Sequence, residues 1–198
     1  MYQNRNELEI ILLYKGNYKL RLYLREISKL SKIPLKTCQD SLKNLENQNI
    51  LKTKIEGKNK YFWLNLDNIQ TKFLLLQTEI YQTNVFIEKY PSFKIFLKEF
   101  KTNIPIIIFG SYAKFTNDKN SDLDLLIISN DKVELPFHLL SFKPHEVKLT
   151  EQTFIKSLTQ QENLIKEIEE NHIILNNHSF YINTMWSQYE KWTINLVF

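Results

Sequence analysis

Residues 104–129 read IPIIIFGSYAKFTNDKNSDLDLLIIS and restrict the possible folds more than any other part of the chain. The apolar run 104–109 has the length of a strand and ends abruptly at Gly110-Ser111. Ten residues later, a second apolar strand is predicted to begin and to run through residues 123–129. The sequence therefore predicts two buried strands, joined by a segment that opens with one of only three glycines in the chain.

Two aspartates, Asp122 and Asp124, flank Leu123 where the second strand begins. Side chains alternate between the faces of a strand, so both carboxylates are expected on one side while Leu123 enters the core. Neighbouring carboxylates repel each other, and on a half-buried strand this is costly unless a positive charge lies between them. Oxygen ligands favour Mg²⁺ or Mn²⁺. Gly110 would let the backbone approach a phosphate, to which Ser111 could offer its N–H and hydroxyl groups.

Gly110-Ser111, the ten-residue spacer and Asp122-Leu123-Asp124 together resemble the signature of the DNA polymerase beta-type nucleotidyltransferase superfamily. GSYA and SDLDLL are near-typical wording of the minimal nucleotidyltransferases of bacteria and archaea, and the resemblance covers roughly residues 92–160. Either motif alone would be weak evidence for this superfamily. Both motifs together, at this spacing and each attached to a strand, are specific for it. The resemblance implies a metal-dependent domain that binds ATP or another nucleoside triphosphate.

The resemblance also implies a third carboxylate on a following strand. Residues 145–150, HEVKLT, are predicted as that strand, and Glu146 is the candidate. In the family's mechanism, Asp122 and Asp124 hold the metals that bridge the triphosphate, while Glu146 would help a second metal activate the acceptor hydroxyl. Lys148 faces the same side as Glu146, so it could pair with this carboxylate and compete with the metal.

The chain departs from the family's pattern directly after the alanine of GSYA. The family commonly has Arg-Gly there, whereas this chain has Lys114-Phe115. Lys114 can still neutralise a phosphate, so the predicted nucleotide-binding residues are Gly110, Ser111 and Lys114. His145 is expected at a strand edge rather than on a metal, because no spacing among the four histidines fits a metal site.

The first third of the chain predicts helices followed by a hairpin. Apolar spacing and alternation predict helices at 6–14, 24–30 and 35–47, then strands at 50–55 and 60–66. Gly57 would lie at the tip of the hairpin. Residues 23–65 resemble the winged helix-turn-helix family along their length, which implies that the helix from Leu35 would enter a DNA major groove.

Charge supports a nucleic-acid partner for this part of the chain. Residues 1–66 carry 13 basic and 6 acidic side chains, a balance of +7, whereas the remainder carries 13 and 16, a balance of −3. The side chains predicted to contact double-stranded DNA are Lys36, Thr37, Gln39, Lys43, Lys52, Lys54, Lys58 and Lys60. The alternative is that the winged helix serves for dimerisation or for docking another protein.

The composition indicates in which cellular compartment the protein is expected. The 43% of hydrophobic and 24% of charged residues are ordinary for a soluble globular protein. The longest apolar runs fall far short of the roughly 20 residues that a membrane span needs, and the first residues do not form a signal peptide. Cys38, the only cysteine, excludes an internal disulfide and is expected to be buried in its helix. We expect a reducing cytoplasm and no membrane partner.

The expected fold class is α+β. It comprises a winged helix-turn-helix domain at 1–67, a connecting helix at 68–90, and a nucleotidyltransferase α/β domain at 91–198 with a short mixed sheet and flanking helices. The connecting helix has an apolar stripe typical of a core or a dimer seam, so a homodimer is among the expected partners.

Two functions are compatible with these features. The first is transfer of a nucleoside monophosphate to a hydroxyl of a protein or nucleic acid. Minimal nucleotidyltransferases of this sort resemble antitoxins that modify small helical ribonuclease toxins, so a toxin is one expected protein acceptor. The second is a DNA-binding transcription regulator whose transferase fold senses nucleotide or has lost activity. The acidic pair favours the first function, and the basic first third favours the second.

Overall fold

The computed structural model describes residues 4–194, with side chains as far as Tyr189. The ends of the predicted first and last domains, residues 1–3 and 195–198, lie outside this description. Contacts divide the chain into two compact units. The first unit contains residues 4–78 and 189–194, and the second contains Glu79–Gln188.

The first unit combines helices with a small antiparallel sheet. Its elements are α1 (Arg5–Leu12), β1 (Leu22–Tyr23), α2 (Leu24–Ser31), α3 (Leu35–Asn47), β2 (Leu51–Glu56) and β3 (Asn59–Leu64). Strand β3 lies between β1 and β2 and is antiparallel to both. The three helices and the hairpin that the sequence predicts are confirmed, and Gly57 in the hairpin turn has a φ of +62°.

Only a few residues separate α2 from α3. Lys32 ends α2 with a left-handed φ of 57°, and Pro34 caps the start of α3. A residue before proline is kept out of the helical conformation, so Ile33 cannot continue α2. Helix α3 buries the predicted apolar face, with Cys38 fully buried and Leu42 1% exposed. Burial raises the pKa of the Cys38 thiol to about 11, as expected of a buried thiol.

The predicted connecting helix is α4 (Ile69–Lys89), and the division between the two units falls after Thr78 within it. Its apolar stripe is open to solvent in part, because Ile69, Phe73 and Ile80 are 55%, 56% and 43% exposed. Neither α4 nor any other helix within residues 4–194 is both long enough and apolar enough to cross a membrane.

The second unit is built on a four-stranded mixed sheet. Its further elements are α5 (Ser92–Glu99), β4 (Ile106–Ile108), α6 (Gly110–Ala113), β5 (Leu123–Ile128), β6 (Pro144–Leu149), α7 (Glu151–Gln160), α8 (Asn163–Glu170), β7 (Ile173–Asn176) and α9 (His178–Ile194), of which residues 189–194 belong to the first unit. The strand order is β6-β5-β4-β7, with β5 and β6 parallel and the other pairs antiparallel. The mixed α+β character and the three predicted strands are confirmed.

The two central strands place the Gly110-Ser111 turn and the acidic pair side by side. Residues 106–108 of β4 are fully buried, and so are Leu123 and Leu125 of β5. Because Ile108 pairs with Leu125, the end of β4 lies next to the beginning of β5. The residues that follow β4 and those that precede and open β5 therefore meet at the same end of these two central strands.

Candidate functional site

Gly110 and Asp124 lie against each other at this end of the two strands. The Phe109 N–H donates to the Asp124 carbonyl oxygen over 3.1 Å, which continues the pairing of β4 with β5 by one step. Gly110 then turns with a φ of +67°, and a Cβ built on it would lie 2.3 Å from Asp124 Oδ2. The carboxylate is therefore seated against the backbone of Gly110, in space that any other residue would fill with its side chain.

The loop between Gly110 and β5 is held by its own hydrogen bonds. The Thr116 N–H donates to the Ser111 carbonyl oxygen over 3.0 Å. Asp118 accepts from the Asn120 N–H at 2.8 Å and from the Ser121 hydroxyl at 3.0 Å. These donors stabilise the ionised form and hold the pKa of Asp118 below its usual value. The chain thus enters β5 from an ordered turn, which sets the position of the acidic pair.

Asp122 and Asp124 are the accessible side chains of an otherwise buried strand start. Their side chains are 49% and 27% exposed, while Leu123 between them is fully buried. Lys143 Nζ lies 3.7 Å from Asp122 Oδ1, and His145 Nδ1 lies 2.9 Å from Asp124 Oδ1. His145 lies at the start of β6 and Lys143 directly precedes this strand, and neither was predicted to belong to the site.

Glu146, the predicted third carboxylate, does not share the face of the sheet that carries Asp124. In the parallel pairing of β5 with β6, Asp124 lies opposite His145, and Glu146 lies opposite Leu125. Directly paired residues share a face of the sheet, so His145 takes the place beside Asp124, and Glu146 points to the other face. Lys148 Nζ lies 2.8 Å from Glu146 Oε2, which is the pairing that the sequence suggested.

The acidic pair is consequently a two-carboxylate site. Among the side chains of residues 4–189, no group of three His, Cys, Asp or Glu is arranged to hold a metal ion. Two carboxylates still match the way in which Mg²⁺ is usually bound, through one or two carboxylates together with waters and substrate phosphates. The oxygen donors of Asp122 and Asp124 therefore fit Mg²⁺ or Mn²⁺.

Lys114 is the third predicted nucleotide-binding residue, and the structure gives it a partner on α8. Its Nζ lies 3.0 Å from Glu167 Oε1, and the two side chains are 39% and 44% exposed. An exposed pair of this kind contributes only about 0–1 kcal/mol, so exchange of Glu167 for a phosphate oxygen would cost little. Glu167 is 53 residues away in sequence, and no local pattern could have identified it.

A cluster of aromatic side chains packs against the loop that follows Gly110. Tyr112 of α6 is 3% exposed, and its ring centroid lies 5.5 Å from that of Tyr90 and 5.0 Å from that of Phe142. Burial raises the pKa of the Tyr112 phenol. The Tyr90 hydroxyl donates to the Asn117 side chain and so ties the loop to the end of α4. Ser111 thus lies between the end of the buried strand β4 and the packed aromatic ring of Tyr112.

In the first unit, a groove of about 870 Å³ lies between α3 and the β2–β3 hairpin. Four of the predicted DNA-contacting residues line it, namely Gln39, Lys43, Lys58 and Lys60. Arg25 of α2 also lines the groove and was not predicted, because it lies outside the two elements considered. Lys60 Nζ lies 2.7 Å from both carboxylate oxygens of Glu46, so its charge is largely offset.

The other four predicted residues lie outside this groove. Lys36 and Thr37 are exposed at the start of α3, where Lys36 Nζ lies 2.9 Å from Asp40 Oδ1. Lys52 and Lys54 alternate with Thr53, which pairs with Phe62 on the face that carries Lys60. They therefore project from the opposite face of the hairpin. The structure thus divides the eight predicted residues between separate surfaces.

Comparison with known proteins supports the second unit's assignment. No curated protein and no solved structure matches the chain. A family model described as a nucleotidyltransferase domain matches residues 92–175, which confirms the predicted domain in general kind. Residues 92–175 are therefore similar to a nucleotidyltransferase domain, and the Gly110–Asp124 contact and Asp122 lie inside this segment.

Proposed function

We propose that the chain transfers a nucleoside monophosphate from ATP or another nucleoside triphosphate to a hydroxyl of a protein or nucleic acid. The observation that carries this proposal is the Asp124 carboxylate seated on the Gly110 backbone, next to Asp122, inside the segment that matches the nucleotidyltransferase domain. The acceptor oxygen would form a bond to the α-phosphorus, and the bond from that phosphorus to the departing pyrophosphate would break. The hydroxyl proton would leave with the surrounding solvent.

The residues divide this task by position. Gly110 leaves room for a phosphate to approach the backbone, and Ser111 is half-buried with its own N–H and hydroxyl available to the triphosphate. Lys114 is close enough to the same turn to neutralise a phosphate once it leaves Glu167. Asp122 and Asp124 would hold Mg²⁺ or Mn²⁺, which when bound neutralises triphosphate charge and lowers the pKa of an acceptor hydroxyl.

Incubation of the whole chain with α-labelled ATP, Mg²⁺ or Mn²⁺ and candidate acceptors tests the proposal. We expect label to appear on an acceptor together with released pyrophosphate, and to be absent when Asp124 is replaced by asparagine. A small helical toxin is the first protein acceptor to try, and RNA the first nucleic acid. If the Asp124→Asn variant labelled the acceptors as well as the parent does, the activity would not depend on the site at Asp124.

Glu146→Gln is expected to leave nucleotidyl transfer almost unchanged. Glu146 lies opposite Leu125 and pairs with Lys148, away from the face that carries Asp124. Surface substitutions away from a site usually change a free energy by less than about 0.5 kcal/mol, which corresponds to roughly twofold in rate. Single-turnover transfer measured beside the Lys148→Ala variant is the test. A steep loss in Glu146→Gln with binding intact would restore it as the third carboxylate.

The first unit is proposed to be a winged helix-turn-helix domain that binds double-stranded DNA. Support comes from the order of α2, α3 and the hairpin, the basic excess, and the groove that displays Gln39, Lys43 and Lys58. Gln39 is suited to a base edge, and the lysines are suited to phosphates. Lys60 is a weaker candidate than predicted, because Glu46 already offsets its charge.

The Lys43→Ala, Lys58→Ala double variant is expected to bind duplex DNA with a smaller salt dependence. Each lysine that neutralises a phosphate contributes about one unit to the slope of log affinity against log salt, so the slope should fall by about two units. The preferred sequence should not change, because phosphates carry no sequence information. Fluorescence anisotropy over a salt series is the measurement, with Lys54→Ala from the opposite hairpin face as control. An unchanged slope would exclude this groove as the duplex site.

A second candidate function is a DNA-binding regulator whose second unit senses nucleotide without transferring it. The observation that favours it is that the side chains of residues 4–189 include no group of three suited to hold a metal ion. Nucleotide-dependent DNA affinity without transfer to any acceptor would support this function. For either function we propose a cytoplasmic protein that uses the open stripe of α4 in a homodimer.

A further inference from the structure

The hairpin of the first unit carries a second basic surface, which the duplex-binding proposal does not use. Lys52 and Lys54 of β2 lie directly opposite Trp63 and Tyr61 of β3, so the four side chains share one face of the sheet. The Arg21 guanidinium lies 4.7 Å from the Trp63 ring centroid and 5.6 Å from that of Tyr61. Cations and aromatic rings are therefore interleaved on this outer face.

This outer face is separate from the groove of α3. Lys60 and Phe62 line the groove, and Phe62 pairs with Thr53, so the groove belongs to the other side of the hairpin. The outer face borders its own cavity of about 480 Å³, which Arg21, Lys52, Lys54 and Trp63 help to line. A volume of this size lies within the roughly 300–1,000 Å³ of small-ligand sites.

The outer face attracts anions. Its cations are Lys19, Arg21, Lys52 and Lys54, and its carboxylates are Glu56 and Asp67, which leaves an excess of two positive charges. Glu56 serves two cations at once, with Oε1 2.8 Å from Arg21 Nη2 and 3.6 Å from Lys54 Nζ. The Arg21 side chain remains 41% exposed above the rings.

Polar and planar groups of this kind match an unpaired nucleotide. We propose that the outer face of the hairpin binds single-stranded nucleic acid, with a base stacked on Trp63 or on the Arg21 guanidinium plane. Lys52 and Lys54 contact the flanking phosphates. Aromatic side chains and arginine planes are the usual stacking partners of splayed bases, whereas the faces of duplex bases are covered by their neighbours. A protein partner would gain the charge contacts but would leave the rings and the guanidinium plane without a matching flat group.

The test uses the full chain and two labelled probes. One is an oligouridylate of about 12 nucleotides, within the ~4–16 nucleotides typical of single-strand sites, and the other is a duplex of equal length. An oligothymidylate of the same length distinguishes RNA from DNA. Fluorescence anisotropy at low salt gives the affinity of each probe for the parent and for each variant.

Trp63→Ala should weaken binding of the single strand by about fivefold or more, with the duplex unchanged. Trp63→Phe keeps a stacking ring and should retain most of the affinity. Lys54 is exposed and pairs only with the exposed Glu56 among the ion pairs of the described residues, so Lys54→Ala should disturb the fold little. A loss of single-strand affinity in Lys54→Ala therefore supports the proposal even if Trp63→Ala fails to fold. Lys43→Ala should show the reverse selectivity and weaken only the duplex. No binding of either single strand by the parent, or equal losses for both probes in Trp63→Ala and Lys43→Ala, would overturn the proposal.

Discussion

Replacing Asp122 and Asp124 together by asparagine is expected to abolish the stabilisation of the chain by Mg²⁺ with ATP. A ligand that binds only the folded state stabilises it by RT ln(1 + [L]/Kd), which is about 2.7 kcal/mol at a hundredfold excess over Kd. At roughly 2–4 °C per kcal/mol for a chain of this size, the parent should gain about 5–10 °C in melting temperature. The variant should gain almost none of the metal-dependent part, because neutral amides lack the charge that attracts a divalent cation.

The proper comparison is the shift within each variant rather than its absolute melting temperature. Removing both charges also removes the contacts with Lys143 and His145, which changes the stability of the ligand-free protein. Asp131→Asn is a matched control, because Asp131 is exposed just beyond the same strand and its ordered contacts with Ser129 use only its backbone. Equal shifts in the parent and the double variant would show that the metal and nucleotide bind elsewhere.

The acidic pair could be predicted because every step of the inference was local. The spacing from Gly110 to Asp122 and the alternation along β5 both depend on neighbouring residues, and in the structure Leu123 is buried while Asp122 and Asp124 remain accessible. The same holds for α3, whose residues Leu35–Asn47 match the predicted range. Periodic patterns in continuous segments report local geometry directly. The contact between Gly110 and Asp124 was not predicted.

The side chain that lies beside Asp124 could not be predicted, because its identity depends on strand register. Pro144–Leu149 was recognised as a strand, but a parallel pairing is set by contacts along its whole length. A slip of one residue exchanges the faces of the strand, so it decides between His145 and Glu146 beside Asp124. The family pattern favoured an acidic residue there, and the observed pairing placed the histidine beside Asp124 instead.

The surfaces on which the predicted DNA-contacting lysines lie also depend on more than the local sequence. Lysines on a hairpin were assigned together, although alternation separates Lys52 and Lys54 from Lys60. Carboxylates distant in sequence then form ion pairs with some of the lysines and offset their charges. Glu46 offsets Lys60, and Glu167 pairs with Lys114 across 53 residues. Local patterns identify such side chains as charged but do not reveal which charges remain uncompensated.

Gly110→Ala is expected to cost more stability than an ordinary substitution at a turn, and to disable transfer. A non-glycine residue in the left-handed conformation costs roughly 1–2 kcal/mol, and at Gly110 the new methyl group would also meet Asp124 Oδ2 at 2.3 Å. Real Cβ atoms do not approach so closely, so the carboxylate must move away from the backbone position where it would meet a metal-bound phosphate. Expressed as free energies, the loss of transition-state stabilisation in transfer should therefore exceed the loss of unfolding free energy.

Gly57→Ala supplies the matched control, because Gly57 has a φ of +62° and a Cβ there would meet nothing within 4 Å. It should show the conformational cost alone, so the difference in unfolding free energy between the two variants measures the clash with Asp124. A double-mutant cycle with Asp124→Ala completes the test. Removing the carboxylate leaves room for the methyl group, so Gly110→Ala should cost less in the Asp124→Ala background than in the parent. Additive losses in chemical denaturation would mean that Gly110 is required only for its turn, and that its contact with Asp124 does not shape the site.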